Sequence, residues 1–231
     1  MEIFLIAVTI FSIVIVTGYL YWRHIWFFRN PPRKTPREAG ILSPADGTVV
    51  YVKRVNSYEK VLSIKKGITA TLTDILREDI SAPKILIGIF MSPFDVHYNR
   101  IPLSGEIAFI RHHEPKGRNL MMGSMHLRTL LGWTPFYRNS SHIIQNERRV
   151  TRINGTYGGE HLSYYIVQIA GGKVNGIDTY VDEGALVDRG ALFSMIRIGS
   201  QVDLVVPLRP GMKIMIAQGD KVRAGETILI T

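Results

Sequence analysis

Lys84-Ile-Leu-Ile-Gly-Ile-Phe-Met91 is the run on which the fold turns. Beyond its lysine it holds no polar residue, it has the length of a strand, and it is rich in branched aliphatics, so it reads as a central strand buried on both faces. Residues 162–170 (LSYYIVQIA) and 195–207 (MIRIGSQVDLVVP) read the same way. Upstream, residues 41–55 (ILSPADGTVVYVKRV) give a turn at Pro44-Ala45-Asp46-Gly47, then alternating β-branched and polar positions that suit another strand. Residues 69–78 are the one candidate helix of the body, with a weak pattern, and residues 111–141 show little period.

Composition agrees with short elements joined by turns: 21 Gly and 11 Pro in 231 residues, 46% hydrophobic and only 20% charged, which excludes a coiled coil and a disordered chain. No cysteine is present, so disulfides, thiolate nucleophiles and cysteine-held metals are excluded. The C-terminal residues 210–230 place turns at Gly211, Gly219-Asp220 and Gly225-Glu226. These resemble the turns of barrel-sandwich folds, although no attachment lysine is evident in a hairpin tip. The expected fold class is mainly β (α+β), a β-sandwich or barrel-sandwich-like body behind an N-terminal transmembrane helix.

That helix is read from residues 3–22, which carry no charge. At 1.5 Å per residue such a run spans about 30 Å, the hydrocarbon thickness of a bilayer. Glu2 precedes it and Arg23 follows it, the reverse of a cleaved signal, so residues 1–28 read as a retained anchor. Tyr19, Tyr21, Trp22 and Trp26 form an aromatic belt, and Arg23, Arg29, Arg33, Lys34 and Arg37 a basic flank that places the body on the cytoplasmic side of the cell membrane. A buried or surface-lying helix is the alternative. Asn30-Pro31-Pro32 opens a basic linker over residues 29–38, because prolines stop a helix, and residues 39–231 form the body. The flank supplies much of the net charge of +9, and no basic stripe with interleaved aromatics follows it, so an anionic lipid surface is the expected partner and nucleic acid is not.

Chemistry-bearing residues gather in Ser43-Pro44-Ala45-Asp46-Gly47, Met91-Ser92-Pro93-Phe94-Asp95-Val96-His97 and Ile198-Gly199-Ser200-Gln201-Val202-Asp203. An Asp, a His and a Ser on separate turns can converge as orienting carboxylate, base and nucleophile, though residue types alone select such a triple weakly. His112-His113-Glu114 lacks the helical spacing of a metal site, so no metal is expected. The Met121, Met122 and Met125 cluster fits either gap filling or the covering of a lipid tail.

The motifs in series resemble the short form of the phosphatidylserine decarboxylase proenzymes, a family that includes the archaetidylserine decarboxylases. The membrane segment leads into WFFRNPPR, then SPADG, FMSPFDVHYNRIPLSG, NER at residues 146–148, VQIAG at residues 167–171 and IRIGSQVDLVVP, in the family's order and over most of the chain. The resemblance implies a self-cleaving enzyme with a covalent pyruvoyl cofactor. The chain would break between Gly199 and Ser200, giving a β chain of residues 1–199 and an α chain of residues 200–231, with the pyruvoyl group made from Ser200. Asp46 and His97 would complete the cleavage triad. The pyruvoyl group would form a Schiff base with a serine-headgroup lipid, which loses CO2 to become the ethanolamine lipid. A homodimer is a further expectation from the resemblance.

Two departures are visible. Where long-form relatives carry two histidines three apart, this chain has His97 and Arg100, so His97 is expected to serve both maturation and the later proton transfer. The arginines common after VQIAG are replaced by Gly172-Lys173-Val174-Asn175-Gly176, leaving Arg148, Lys173, Arg189 and Arg197 as candidate phosphate ligands. Two other classes stay open: a membrane-anchored serine hydrolase using Asp46, His97 and Ser200, and a non-catalytic β-rich scaffold.

Overall fold

The apolar N-terminal run forms helix α1 (Glu2–Tyr21), continued by a π-helical turn over Trp22–Trp26. The hydroxyls of Thr9 and Ser12 donate to the carbonyls four residues back, Leu5 and Val8, at 2.8 Å, so these two donors are satisfied within the helix. Glu2–Trp26 is long and apolar enough to cross a membrane. Its end carries aromatic and cationic groups in contact, with the Arg29 guanidinium 4.4 Å from the Trp26 ring centroid.

The structure, a computed structural model, describes residues 1–56, 60–65, 67–76, 83–172, 176–197 and 199–231. They divide into two units, Met1–Pro32 and Arg33–Thr231. The second is mainly β. Its first half holds β1 (Ile41–Leu42), β2 (Gly47–Val55), β3 (Lys60–Lys65), β4 (Ile68–Thr71), α2 (Leu72–Leu76), β5 (Lys84–Met91), β6 (Tyr98–Arg100) and β7 (Gly105–His113). Then come α3 (Gly123–Leu131), α4 (His142–Gln145), β8 (Arg148–Tyr157), β9 (Glu160–Ile169), β10 (Ile177–Thr179) and β11 (Leu186–Val187). The chain closes with β12 (Leu192–Ile196), β13 (Ser200–Pro207), β14 (Lys221–Val222) and β15 (Ile228–Ile230).

An eight-stranded antiparallel sheet in the order β11-β7-β8-β9-β13-β5-β2-β14 dominates, beside a three-stranded sheet β10-β12-β6 and the pairs β1-β15 and β3-β4. Strand β5 lies between β13 and β2 and bonds to both. Ile85, Ile87 and Ile89 enter one hydrophobic cluster with Val202, Leu204 and Val206, while Leu86 and Phe90 enter a second with Val167 and Val205. Both faces of the strand are covered, which is why its sequence shows no polar alternation.

Local chemistry decides where three elements differ from the sequence pattern. Residues 195–207 are not one strand: β12 ends at Ile196 and β13 begins at Ser200, with Gly199 at φ +60 between them, so the chain changes sheets there. The expected helix over residues 69–78 starts only at Leu72 and is described through Leu76, because Thr71 and Asp74 form a reciprocal cap in which the Asp74 carboxylate accepts from the Thr71 N–H at 2.9 Å and the Thr71 hydroxyl from the Asp74 N–H at 3.1 Å. Arg77 and Glu78 lie outside the described residues. Helix α3 interrupts a stretch read as patternless, since only its Met125 is buried and its remaining leucines face outward. Arg189 donates to the carbonyls of Pro36, Glu38 and Gly40 at 2.8–3.0 Å, which straps residues 36–40 to the body.

Candidate active site

Backbone pairing brings the three chemistry-bearing stretches side by side. The Arg100 N–H donates to the Pro44 carbonyl at 2.9 Å, which joins the SPADG turn to β6. The Ile196 N–H donates to the His97 carbonyl at 3.2 Å, and Ser200 stands opposite Met91 in the β13–β5 register. His97, Ser200 and its neighbour strand β5 are thus fixed by sheet bonds rather than by loop packing.

Ser200 is fully buried, and among the described residues its hydroxyl meets only the Met91 sulfur, at 3.3 Å. A thioether is a weak acceptor, so this hydroxyl is held loosely for a buried polar group. Gly199, in the left-handed region, has no atom within 4 Å of where a Cβ would stand. The backbone before Ser200 is therefore bent and open on one side. His97 is fully buried, with Nδ1 2.9 Å from the Asp95 carbonyl. A carbonyl only accepts, so Nδ1 carries the proton and the lone pair of the neutral ring lies on Nε2.

Asp46 is engaged elsewhere than at His97 Nδ1. Its carboxylate accepts from Arg33 at 2.8 Å and from the Ala224 N–H at 2.7 Å, and burial raises its pKa above the ordinary carboxylate value against the pull of both bonds. It ties residue 33 and the C-terminal segment to the SPADG turn.

Alternation along β13 sends Ser200, Val202 and Leu204 to one face and Gln201 and Asp203 to the other. On the serine face lies a buried polar cluster in which Gln168 Nε2 donates to Asn99 Oδ1 and to Ser194 Oγ, both at 2.7 Å, and Asn99 Nδ2 approaches the Met91 sulfur at 3.8 Å. Sequence reasoning passed over these residues. The available signal was Gln168, the one polar residue in the apolar run of residues 166–170.

The opposite face carries a second network. Tyr51 donates to Asp203 at 2.8 Å, Gln201 Nε2 donates to Tyr51 at 2.6 Å and to Asp203 at 2.7 Å, and His142 Nε2 donates to Gln201 Oε1 at 3.2 Å. Room for the Tyr51 ring exists because Gly88 stands beneath it, where a Cβ would lie 2.4 Å from ring carbons. Burial lifts the Asp203 carboxyl to about 7 and depresses the His142 imidazole to about 4.

These two groups push stability in opposite directions with pH. Asp203 is protonated in the folded chain up to about pH 7 but ionises from 3.8 when unfolded, so its contribution is full at low pH and is lost as pH rises toward 7. His142 is neutral in the folded chain down to about pH 4 but protonates from 6.5 when unfolded, so its contribution is full above 6.5 and is lost as pH falls toward 4. Each slope approaches about 1.4 kcal/mol per pH unit, and in the native chain they largely cancel. Denaturant midpoints across this range should rise with pH in Asp203→Asn and fall with pH in His142→Gln; parallel profiles for the two variants would contradict this account.

A pocket of about 220 Å³ adjoins Gly199, lined by Phe90, Pro93, Met121, Met122 and His126. His126 Nδ1 is buried without a hydrogen-bond partner among the described residues. The candidate phosphate ligands are dispersed. Arg148 is fully buried and donates to the carbonyls of Asp74, Ile75 and Asn146, Arg189 is spent on the strap at residues 36–40, and Arg197 is exposed and pairs with Asp178 at 3.0 Å. Arg148 and Arg189 thus serve backbone carbonyls in this structure. Lys173 lies outside the described residues. His112 and Glu114 form an exposed pair at 3.1 Å.

Comparison with known proteins follows the same residues. The family model for phosphatidylserine decarboxylase matches residues 20–230. A Methanopyrus kandleri protein named, by inference, archaetidylserine decarboxylase proenzyme is 34% identical over 207 residues, which is 89% of this chain and 80% of the relative. Phosphatidylserine decarboxylase proenzymes of Syntrophus aciditrophicus and Pelobacter propionicus are 33% and 32% identical, each over 89% of this chain and over 78% and 74% of their own lengths.

Proposed function

Because the chain belongs to the phosphatidylserine decarboxylase family, we propose that it is a self-processing, pyruvoyl-dependent decarboxylase of a serine-headgroup lipid, phosphatidylserine or archaetidylserine, anchored in the cell membrane by Glu2–Trp26 with its body on the cytoplasmic side. The observation that carries this reading is the setting of the Gly199–Ser200 link. The bond lies between a left-handed glycine that borders the pocket and a buried serine at the first position of a central strand.

In maturation His97 Nε2 accepts the Ser200 hydroxyl proton as Oγ attacks the Gly199 carbonyl. The C–N bond breaks, the freed nitrogen takes a proton, and an ester joins the two segments. Removal of the Ser200 α-proton then expels the Gly199 carboxylate, leaving a dehydroalanine that water converts to a ketone with release of ammonia. The chains are residues 1–199 and 200–231. Asp46 supports this relay as a negative charge on the adjoining turn, while the Asp95 carbonyl sets the ring's tautomer. The residues fit the resulting group: it is no larger than the serine it replaces, and the open side of Gly199 leads to the pocket.

When formed, the pyruvoyl carbonyl supplies an electron sink for loss of CO2 from a substrate bound through its amine. The chain's own part is to hold the lipid and to return a proton. His97 delivers that proton to the former α-carbon, His126 meets the headgroup from the pocket wall, and Arg197 and Lys173 serve its phosphate.

Intact-mass analysis of purified full-length protein under denaturing conditions tests the reading. The expected result is a fragment of residues 200–231 lighter than the plain peptide by one ammonia and reactive toward a hydroxylamine carbonyl probe. A folded, uncleaved chain that acylates with serine-directed reagents would instead favour the hydrolase, and one that does neither would favour the scaffold.

A further inference from the structure

The pocket beside Gly199 is too small for the lipid it is proposed to serve. At about 220 Å³ it falls below the range of sites that enclose drug-sized ligands, and a two-chain lipid is larger still. Most of such a substrate stays in its bilayer while the headgroup reaches in, so the surface around the mouth has to tolerate the bilayer.

That surface is unusual. Helix α3 buries Met125 and lines the pocket through Gly123 and His126, yet Leu127 and Leu130, which continue the Gly123 face, Leu131 beside them, and Trp133 just beyond the helix end are exposed, Leu130 to 72%. Met121, which lines the pocket, and Phe94, next in sequence to the pocket residue Pro93, are exposed as well. Spacings of three and four make the leucines one stripe. Charge selects the partner: from Glu114 to Glu147 no acidic residue intervenes, while Lys116, Arg118, Arg128 and Arg138 are present. An apolar stripe within an acid-free basic segment suits an anionic lipid surface, where leucines and a tryptophan enter the interface and the cations meet headgroups. A soluble substrate would give no reason for this combination next to the catalytic mouth.

We infer that the exposed leucine face of α3, with Trp133, Phe94 and Met121, is a second membrane contact, separate from the N-terminal helix, which seats the pocket mouth on an anionic bilayer. This rests on the lipid-decarboxylase reading for its purpose, but the contact itself can be measured without activity. The chain has no cysteine, so single labels are clean. Leu186 is a matched control, 85% exposed on β11, which pairs with the Gly105 end of β7, away from Ile169 and the pocket glycines that follow it.

Full-length L130C and L186C carry a nitroxide in vesicles of phosphatidylglycerol and phosphatidylcholine. Collision with oxygen should exceed collision with a water-soluble nickel chelate at position 130 and the reverse should hold at 186. A second variant, L130D/L131D, should lose roughly tenfold in turnover on phosphatidylserine in vesicles while keeping its turnover on a short-chain, monomeric phosphatidylserine. A label at 130 as accessible to nickel as that at 186 overturns the contact. Dipolar coupling between labels at 130 on two copies also overturns it, by assigning the face to a dimer. Absence of decarboxylation in the unmutated protein, with position 130 immersed, would defeat the enzymatic reading and leave the contact standing.

Discussion

Ser200→Ala is expected to yield one uncleaved chain that never acquires a reactive carbonyl and never decarboxylates lipid. Without Oγ no ester can form between residues 199 and 200, and no neighbouring hydroxyl occupies that position in the strand. The fold should survive, because among the described residues the hydroxyl's one partner is the weakly accepting Met91 sulfur, and a lost bond of that kind costs about 1 kcal/mol or less. Intact mass over several days, set beside a denaturant melt, separates lost processing from lost structure. Scission of the alanine variant at the same bond would remove Ser200 as nucleophile.

His97→Asn should slow processing by roughly 10²- to 10⁴-fold, the usual worth of a positioned proton acceptor. Asparagine is chosen because its amide nitrogen can take the place of Nδ1 and still donate to the Asp95 carbonyl, while the lone pair at Nε2 disappears. A variant with native stability and slow conversion isolates the proton-transfer role. Conversion at the native rate would transfer that role to another group, and the buried cluster of Asn99, Gln168 and Ser194 on the serine's face would be the place to look.

What the sequence made legible follows from how each residue is constrained. Residues 84–91 announced a doubly buried strand because both faces are covered, and the membrane-length helix announced itself by an unbroken absence of charge. The backbone adjacency of the SPADG turn, the His97 segment and β13 was suggested only by motif order, since the pairs β6–β12 and β5–β13 join residues far apart in sequence and leave no local pattern. The partners of Asp46 were not legible: Arg33 and Ala224 reach it only through tertiary packing. Nor was the service of Arg148 and Arg189 to backbone carbonyls, because a guanidinium's partners depend on which carbonyls a turn leaves unpaired. Helix α3 escaped because a helix whose apolar side faces outward shows no stripe directed at the core.

The position of Ser200 at the head of β13 has a consequence for the matured protein's persistence. Everything after the proposed cut, β13, β14 and β15, is woven into sheets made by the residues before it: β13 between β9 and β5, β14 on β2, and β15 on β1. Severing the backbone releases nothing while these strands hold. Once they part, however, a single molecule has become two, and the short fragment can diffuse away from the partner that gave it shape. Re-formation then depends on concentration, whereas the precursor refolds at a rate indifferent to dilution. Maturation by the proposed cut would thereby exchange an equilibrium safeguard for a kinetic one: the lifetime of the processed enzyme would be set by how slowly its central strand is drawn out.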